Sequence, residues 1–432
     1  LGVSYGTFVS IPVERNKTSV QAAISASVKR HAELKPKLKD PKVNGFLTAK
    51  LEPFWGRADN PGPVFDAVAG WAGSYSSQGA GQYIDHAGLI KAKDAGYLKA
   101  RDAFAALIGD VALAFSKPVF QPVNEDFTAP TAAANDQALT LLALGLNGYA
   151  ESMVAEGRLE RAALIYELVF RQGHLLGDDV GIVQTMMGIS LQALAFQSMV
   201  AHLHPNLDLD ANQWAGLSAA LSATTPTQRT LANALENDLA FGTAFLNRPR
   251  SSYDGDARPL RGAFLLPGFR ARDLRVYQNF MGSLLDEVKT GMIQGQLPPN
   301  SRTSVLVGDS GPGLALLVPD YQQQSARVNL HGAKMTGMAV VAAISAYRAQ
   351  NGKLPTTLAD LDSLRLRAPG GVPWSSVKGI MYKTAGPKVR VGVPVDPRLF
   401  TAAGLDLAKA QKIEAVNSNY FSLKDGGYLF EF

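Results

Sequence analysis

The stretch TSVLVGDSGPG, residues 303–313, sets Ser310 at the end of an apolar run, between an aspartate and a glycine, where its hydroxyl could serve as an acyl-transfer nucleophile. A serine hydroxyl is weak on its own, and that chemistry needs a neighbouring base and an oxyanion hole. Of the 6 histidines only His331 follows Ser310, in VNLH, with Val328 three residues ahead of it. His202 and His204, in AHLHPNLDLD, stand near Asp208 and Asp210, and the four could hold a divalent cation. The same residues also read as a helix C-terminus, where histidine suits the helix dipole, followed by an N-capping aspartate. Asp178 and Asp179, after His174, read as an N-cap more readily than as ligands. Glu151, Glu156 and Glu160 fall on or beside a helical hairpin and are expected on a solvated face, not as an acid/base pair. The methionines at 186, 187 and 199 read as core. No glycine-rich loop has phosphate-binding spacing.

The Gly308-Asp309-Ser310-Gly311 core resembles the nucleophile loop of chymotrypsin-like proteases, and an apolar run entering Gly-Asp-Ser resembles the first block of GDS-type esterases and lipases. The first resemblance implies a histidine and an aspartate upstream in a double β-barrel, whereas the residues ahead of Ser310 read as mostly helical. The second implies a late Asp-x-x-His block, and Val328 holds its aspartate position. Gly311-Pro312-Gly313 reads as a turn, with Ser310 turning or capping the chain. The expectation is no catalytic, cofactor-binding or metal-binding residue; a serine hydrolase using Ser310 is the alternative.

Composition narrows the classes further. At 432 residues the chain is long enough for two or three cores, and 46% hydrophobic with 18% charged residues is globular usage. Zero cysteine excludes disulfides, thiolate zinc sites, iron–sulfur clusters and cysteine nucleophiles. The net charge of +5 is spread thinly, with small basic runs such as Lys35 to Lys42 and no interleaved aromatics, so no nucleic-acid partner is expected. No unbroken apolar run has the length of a membrane span; Met335 to Ala346 is too short and carries Thr336 and Ser345. The chain opens LGVSYGTFVSIPV without an initiator methionine, and the expectation is export, with room for an N-terminal membrane anchor ahead of it.

The elements that must position these residues are mainly helical. Residues 1–130 form an irregular N-terminal region with helices expected at Ser19 to Leu34 and Ala95 to Phe115, then an extended proline-bearing linker over 117–133. Residues 131–330 form a helical hairpin bundle or short solenoid. Leu139, Leu142, Leu146, Tyr149 and Met153 make one stripe, Gly157 ends that helix, and Leu159 to Phe170 returns. The spacing of Gly157, Leu159, Ala162 and Tyr166 resembles the turn and second helix of a tetratricopeptide-type repeat. Further helices are expected over Val180 to His202, residues 207–224, from Thr225-Pro226 to Leu246, and Leu274 to Gln294. After Pro312 a helical pattern runs through Leu330, followed by a helix Met335 to Gln350. Residues 331–432 join that helix to a small antiparallel sheet from GIMYKT (379–384), KVRVGVPV (388–395) and NYFSLKDGGYLFEF (419–432), with one helix, Ala402 to Val416, between.

In residues 346–361, AYRAQNGKLPTTLADL, the residues Tyr347, Asn351, Gly352, Pro355, Thr356 and Thr357 resemble the segment after the long helix in major pseudopilins of type II secretion systems. YFSLKDGG (420–427) is similar to the terminal strand and loop of that domain. The acidic calcium-binding cluster of many pseudopilins is reduced here to Asp425, so no metal is implied. In layout, residues 135–432 resemble a group of uncharacterised bacterial envelope proteins. These resemblances imply a mainly α protein with a small C-terminal α+β domain, exported to the periplasm or cell envelope. They imply a non-catalytic structural or adaptor role in a pilus-like, secretion-like or surface-layer assembly, with other envelope proteins or further copies of itself as partners. An apolar ligand stored among the Met- and Leu-rich helices is a third reading.

Overall fold

The chain is mainly helical with a small four-stranded antiparallel sheet near its C-terminus, as the apolar spacing predicts. The structure, a computed structural model, describes residues 13–48, 50–55, 63–76, 84–121, 134–177, 181–205, 207, 209–247, 269–291, 321–385, 388–417, 420–424 and 427–432. Ser310, Asp178, Asp179, Asp208 and Asp425 lie outside the described residues.

Helix α1 is Val13–Leu38, longer at both ends than its apolar stripe suggests. Short helices α2 (Glu52–Trp55), α3 (Pro63–Tyr75) and α4 (His86–Lys91) follow. The single helix expected over Ala95 to Phe115 is instead two, α5 (Ala95–Ala105) and α6 (Ile108–Ser116). Its apolar residues still face one core: Tyr97, Phe104, Val111 and Phe115 are fully buried. Around Trp71 of α3 an aromatic cluster forms, with Tyr97 at 5.4 Å and Phe104 at 6.2 Å between ring centroids, and the indole N–H donates to Gly145 O at 2.8 Å. Burying each such ring contributes about 2 kcal/mol or more.

The expected hairpin is α7 (Ala134–Ala155) and α8 (Leu159–Gly177), turned by Gly157 at φ +75°. That left-handed φ suits glycine and ends α7. Within α7, Gln137–Ala155 has the length and apolarity of a membrane span; 72% of its apolar window is buried inside the protein, where it packs on α3 and α8 as a core helix. Helix α9 (Ile182–His202) lies along α8 at a glycine contact. A Cβ on Gly188 would stand 2.1 Å from Gly173 O, and one on Gly173 would stand 2.4 Å from Gly188 O. The two backbones approach this closely because neither residue has a side chain. The described N-cap of α9 is Gly181, and a carboxylate from elsewhere, Asp238 Oδ2, accepts from Ile182 N at 3.2 Å.

Helix α10 (Ala211–Thr224) starts at Asp210, which forms a capping box with Gln213. Trp214, Leu217 and Leu221 are buried on its inner face. Helix α11 (Gln228–Asn247) packs with α1 and α12 (Phe269–Gly291) around a second apolar core that includes Leu235, Leu239, Tyr277 and Met281. Where two helical stretches were expected after Pro312, the described chain is one helix, α13 (Tyr321–Asn351). It runs along α10 and continues under the sheet, so Met338, Ala339, Val340 and Val341 are fully buried.

The sheet orders its strands β1-β2-β4-β3, all antiparallel, with β1 Met381–Ala385, β2 Lys388–Pro394, β3 Phe421–Lys424 and β4 Gly427–Glu431. Val391 pairs with Phe430 and Phe421 pairs with Phe430 across β4. The expected helix Ala402 to Val416 is broken into α14 (Arg398–Ala402) and α15 (Leu407–Asn417). Gly404 turns left-handed at φ +68° between them, and Asp406 receives the Lys409 N–H at 2.8 Å. The main apolar core runs continuously from Phe46 through α7–α10 to Phe430, so sheet and helices share it.

Candidate functional site

Those of the residues singled out for chemistry that the structure describes are dispersed into structural roles. His331, the one base candidate after Ser310, is buried in α13, with Nε2 3.1 Å from Gln192 Oε1. Gln192 donates both amide hydrogens, to Phe170 O at 3.0 Å and Thr224 O at 2.9 Å, so its oxygen can only accept and His331 carries its proton on Nε2. Burial, and secondarily Lys334, lowers the His331 pKa to about 3, which keeps the ring neutral. His331 thus ties α13 to α9, whose Gln192 in turn bonds α8 at Phe170 and the end of α10 at Thr224.

The His202/His204 pair does not converge on Asp210. His202 Nδ1 lies 2.8 Å from Ser198 O, His204 packs edge-on against Tyr420 at 5.0 Å, and Asp210 caps α10. Burial, then Arg348, lowers the His204 pKa. No group of three or more metal-ligating side chains occurs among the described residues. Glu156 pairs with Arg101, and Glu160 accepts from Gln213 Nε2 at 2.8 Å.

Glu151 corrects the expectation of a solvated face: it is only 7% exposed. Its Oε1 accepts from Ser198 Oγ (2.9 Å) and Asn147 Nδ2 (3.1 Å), and His86 Nε2 stands 3.5 Å from Oε2. Because Ser198 spends its proton on Glu151, Tyr166 donates to Ser198 Oγ at 2.7 Å. Tyr97 hydroxyl meets His86 Nδ1 at 3.0 Å, completing a polar network across α4, α5, α7, α8 and α9. Burial, then the Glu151 charge, raises the Tyr166 pKa, so it stays a donor. The helical stripe of α7 hid this: Glu151 sits two residues from both Tyr149 and Met153, off the named apolar positions, and only tertiary packing brings His86 and Ser198 to it. Serine, histidine and carboxylate meet here, yet neither cleft described next is lined by them. The network holds five helices in register.

The open chemistry lies instead where α10, α11 and α13 meet the segment entering the sheet. One cleft of about 650 Å³ is lined by Arg30, Arg229, Arg365, Arg367, His174 and Ser222, among others, and by no carboxylate among the described residues. A second, of about 550 Å³, is lined mostly by apolar groups, including Leu231, Val328, Ala333, Val372, Ile380 and Val393. The two share the Thr225 and Thr227 turn between α10 and α11. On the far side, the Pro369–Gly371 turn is built by Gly370 and Gly371 at φ +80° and +78°. The sequence showed no sign of the cationic chamber, since its arginines come from α1, from α11 and from a turn over a hundred residues later. Compared with protein-family models, with curated proteins and with solved structures, the chain matches none of them.

Proposed function

We propose that this protein works by binding rather than by catalysis, as a structural or adaptor component of the bacterial cell envelope, and that the paired clefts beside Thr225–Thr227 are its working surface. The observation that carries this reading is the juxtaposition itself: an arginine-lined chamber and an apolar chamber adjoin at one turn, a layout suited to a partner with anionic and apolar parts. The envelope setting rests on the resemblance carried by residues 346–361. The partner is another envelope protein, whose apolar side chains enter the chamber around Val372, itself 42% exposed. Because α13 and the sheet share the main core with the helices, the test uses a point variant instead of a truncation. V372R should leave the melting temperature unchanged and abolish co-purification of partner proteins from the membrane fraction. Undiminished co-purification refutes the assignment of this surface. A fluorophosphonate probe checks the other half: no labelling is expected, and labelling lost in S310A would make the protein a serine hydrolase.

A further inference from the structure

We propose that the arginine chamber is a binding site for a phosphate-bearing ligand, held by Arg229, Arg365 and Arg367 with the Ser222 hydroxyl. Three independent features converge. The first is a local excess of positive charge. Arg229, Arg365 and Arg367 are exposed and form no ion pair among the described residues, whereas Arg30, which also lines the chamber, is bound to Glu236 at 2.6 Å. Asp362 accepts from the backbone N–H groups of Trp374 (2.7 Å) and Ser375 (3.3 Å) and stays ionised, so it offsets part of the Arg367 charge from outside the chamber lining. Guanidinium groups that line one chamber repel one another, and a bound polyanion relieves that repulsion.

The second feature is a buried donor with nothing to bond. Ser222 lines the chamber at 7% exposure, and its Oγ has no hydrogen-bond partner among the described residues. A buried hydroxyl left unmatched is unfavourable by about 1–3 kcal/mol, and a ligand oxygen would remove that penalty. The third is backbone orientation. Thr227, Arg229 and Thr230, in and before the first turn of the 20-residue helix α11, line the chamber, so the positive end of its dipole faces the same space.

Guanidinium forks match phosphate oxygens, and three forks with a hydroxyl exceed what one carboxylate can accept. A volume of about 650 Å³ is also much larger than one phosphate, so the ligand carries a second anionic group or an organic body. A phosphorylated soluble molecule and a phospholipid headgroup share this chemistry.

Titration calorimetry with inorganic pyrophosphate tests the site directly. Saturable binding that weakens with salt is expected, and each charge-assisted contact removed should cost about tenfold in affinity, so R229Q/R365Q/R367Q should abolish it with the melting temperature unchanged. S222A should weaken it by a smaller factor. No saturable binding, binding unaltered in the triple variant, or tighter binding of citrate than of pyrophosphate would each overturn the assignment. Co-sedimentation with phosphatidylglycerol vesicles, against phosphatidylcholine vesicles, separates the sources. Vesicle binding lost in the triple variant assigns a headgroup, and pyrophosphate binding alone assigns a soluble ligand. The inference rests on the reading of the paired clefts as the working surface, but V372R reads the apolar chamber and R229Q/R365Q/R367Q the arginine chamber, so failure of one assignment is distinguishable from failure of the other.

Discussion

Replacing His331 by leucine should produce stability curves that cross as the pH falls. His331 is 5% exposed, and its pKa is lowered from 6.5 to about 3, by burial first and Lys334 second. The folded protein therefore holds a neutral ring down to about pH 3, while the unfolded chain binds a proton below 6.5. Between those values the unfolded state carries more protons, so stability is lost as the pH falls. One pKa unit corresponds to about 1.4 kcal/mol, so the interval from 6.5 to about 3 amounts to about 5 kcal/mol, of which nearly 3 is already lost at pH 4.5. H331L removes this dependence. It also leaves Gln192 Oε1 without its donor, a penalty of about 1–3 kcal/mol that does not vary with pH.

Glu167 must be separated from this effect. Burial raises its pKa from 4.5 to about 7, so the folded state keeps a proton that the unfolded chain releases, and stability falls as pH rises through that window. Its slope opposes that of His331 and flattens the wild-type profile, which is why the informative quantity is the difference between wild type and H331L. In urea unfolding, H331L should be less stable at pH 7, and the gap should close or invert near pH 4.5. Parallel curves would refute the reasoning, as would a His331 ring resonance titrating near 6.5 in the folded protein.

Two further perturbations follow from the core. G188A places a Cβ 2.1 Å from a backbone oxygen that cannot swing aside, so α8 and α9 must separate, and a loss of about 1–3 kcal/mol should appear as a lowered melting temperature. An unchanged melt would mean that the two helices are not in backbone contact. E151A strands Asn147, Ser198 and His86 together and should destabilise by about 3–5 kcal/mol, whereas E151Q, which keeps an acceptor oxygen, should cost much less. Equal effects of the two on the urea midpoint would show that the network is not what holds these helices.

The fold was legible wherever apolar spacing and a stop residue agreed. Gly157, the Asp210 cap and the alternation in β2 and β4 each set an element from local chemistry, and each element formed near its expected bounds. The expectation went astray where continuity depended on distant packing. α13 runs unbroken because α10 and the sheet bury it along its length, and the segment after Ala95 breaks at Ala106-Leu107 although its side chains keep helical spacing. The polar residues divide the same way. The cap of α10 could be narrowed to Asp208 or Asp210 from its neighbours, because an N-cap is a local device, and the structure gives Asp210. Glu151 could not, since its partners His86 and Ser198 lie 65 residues before it and 47 after it, and nothing in ESMVAEG distinguishes a solvated glutamate from a buried one. The arginine chamber is the extreme case. Arg229 precedes Arg365 by 136 residues, and an electrostatic site assembled from exposed side chains leaves no periodicity to read. Chemistry in this chain is therefore carried by tertiary juxtaposition, and the motif that looked most chemical, Gly-Asp-Ser-Gly, lost its only downstream imidazole to a helix-packing role at Gln192.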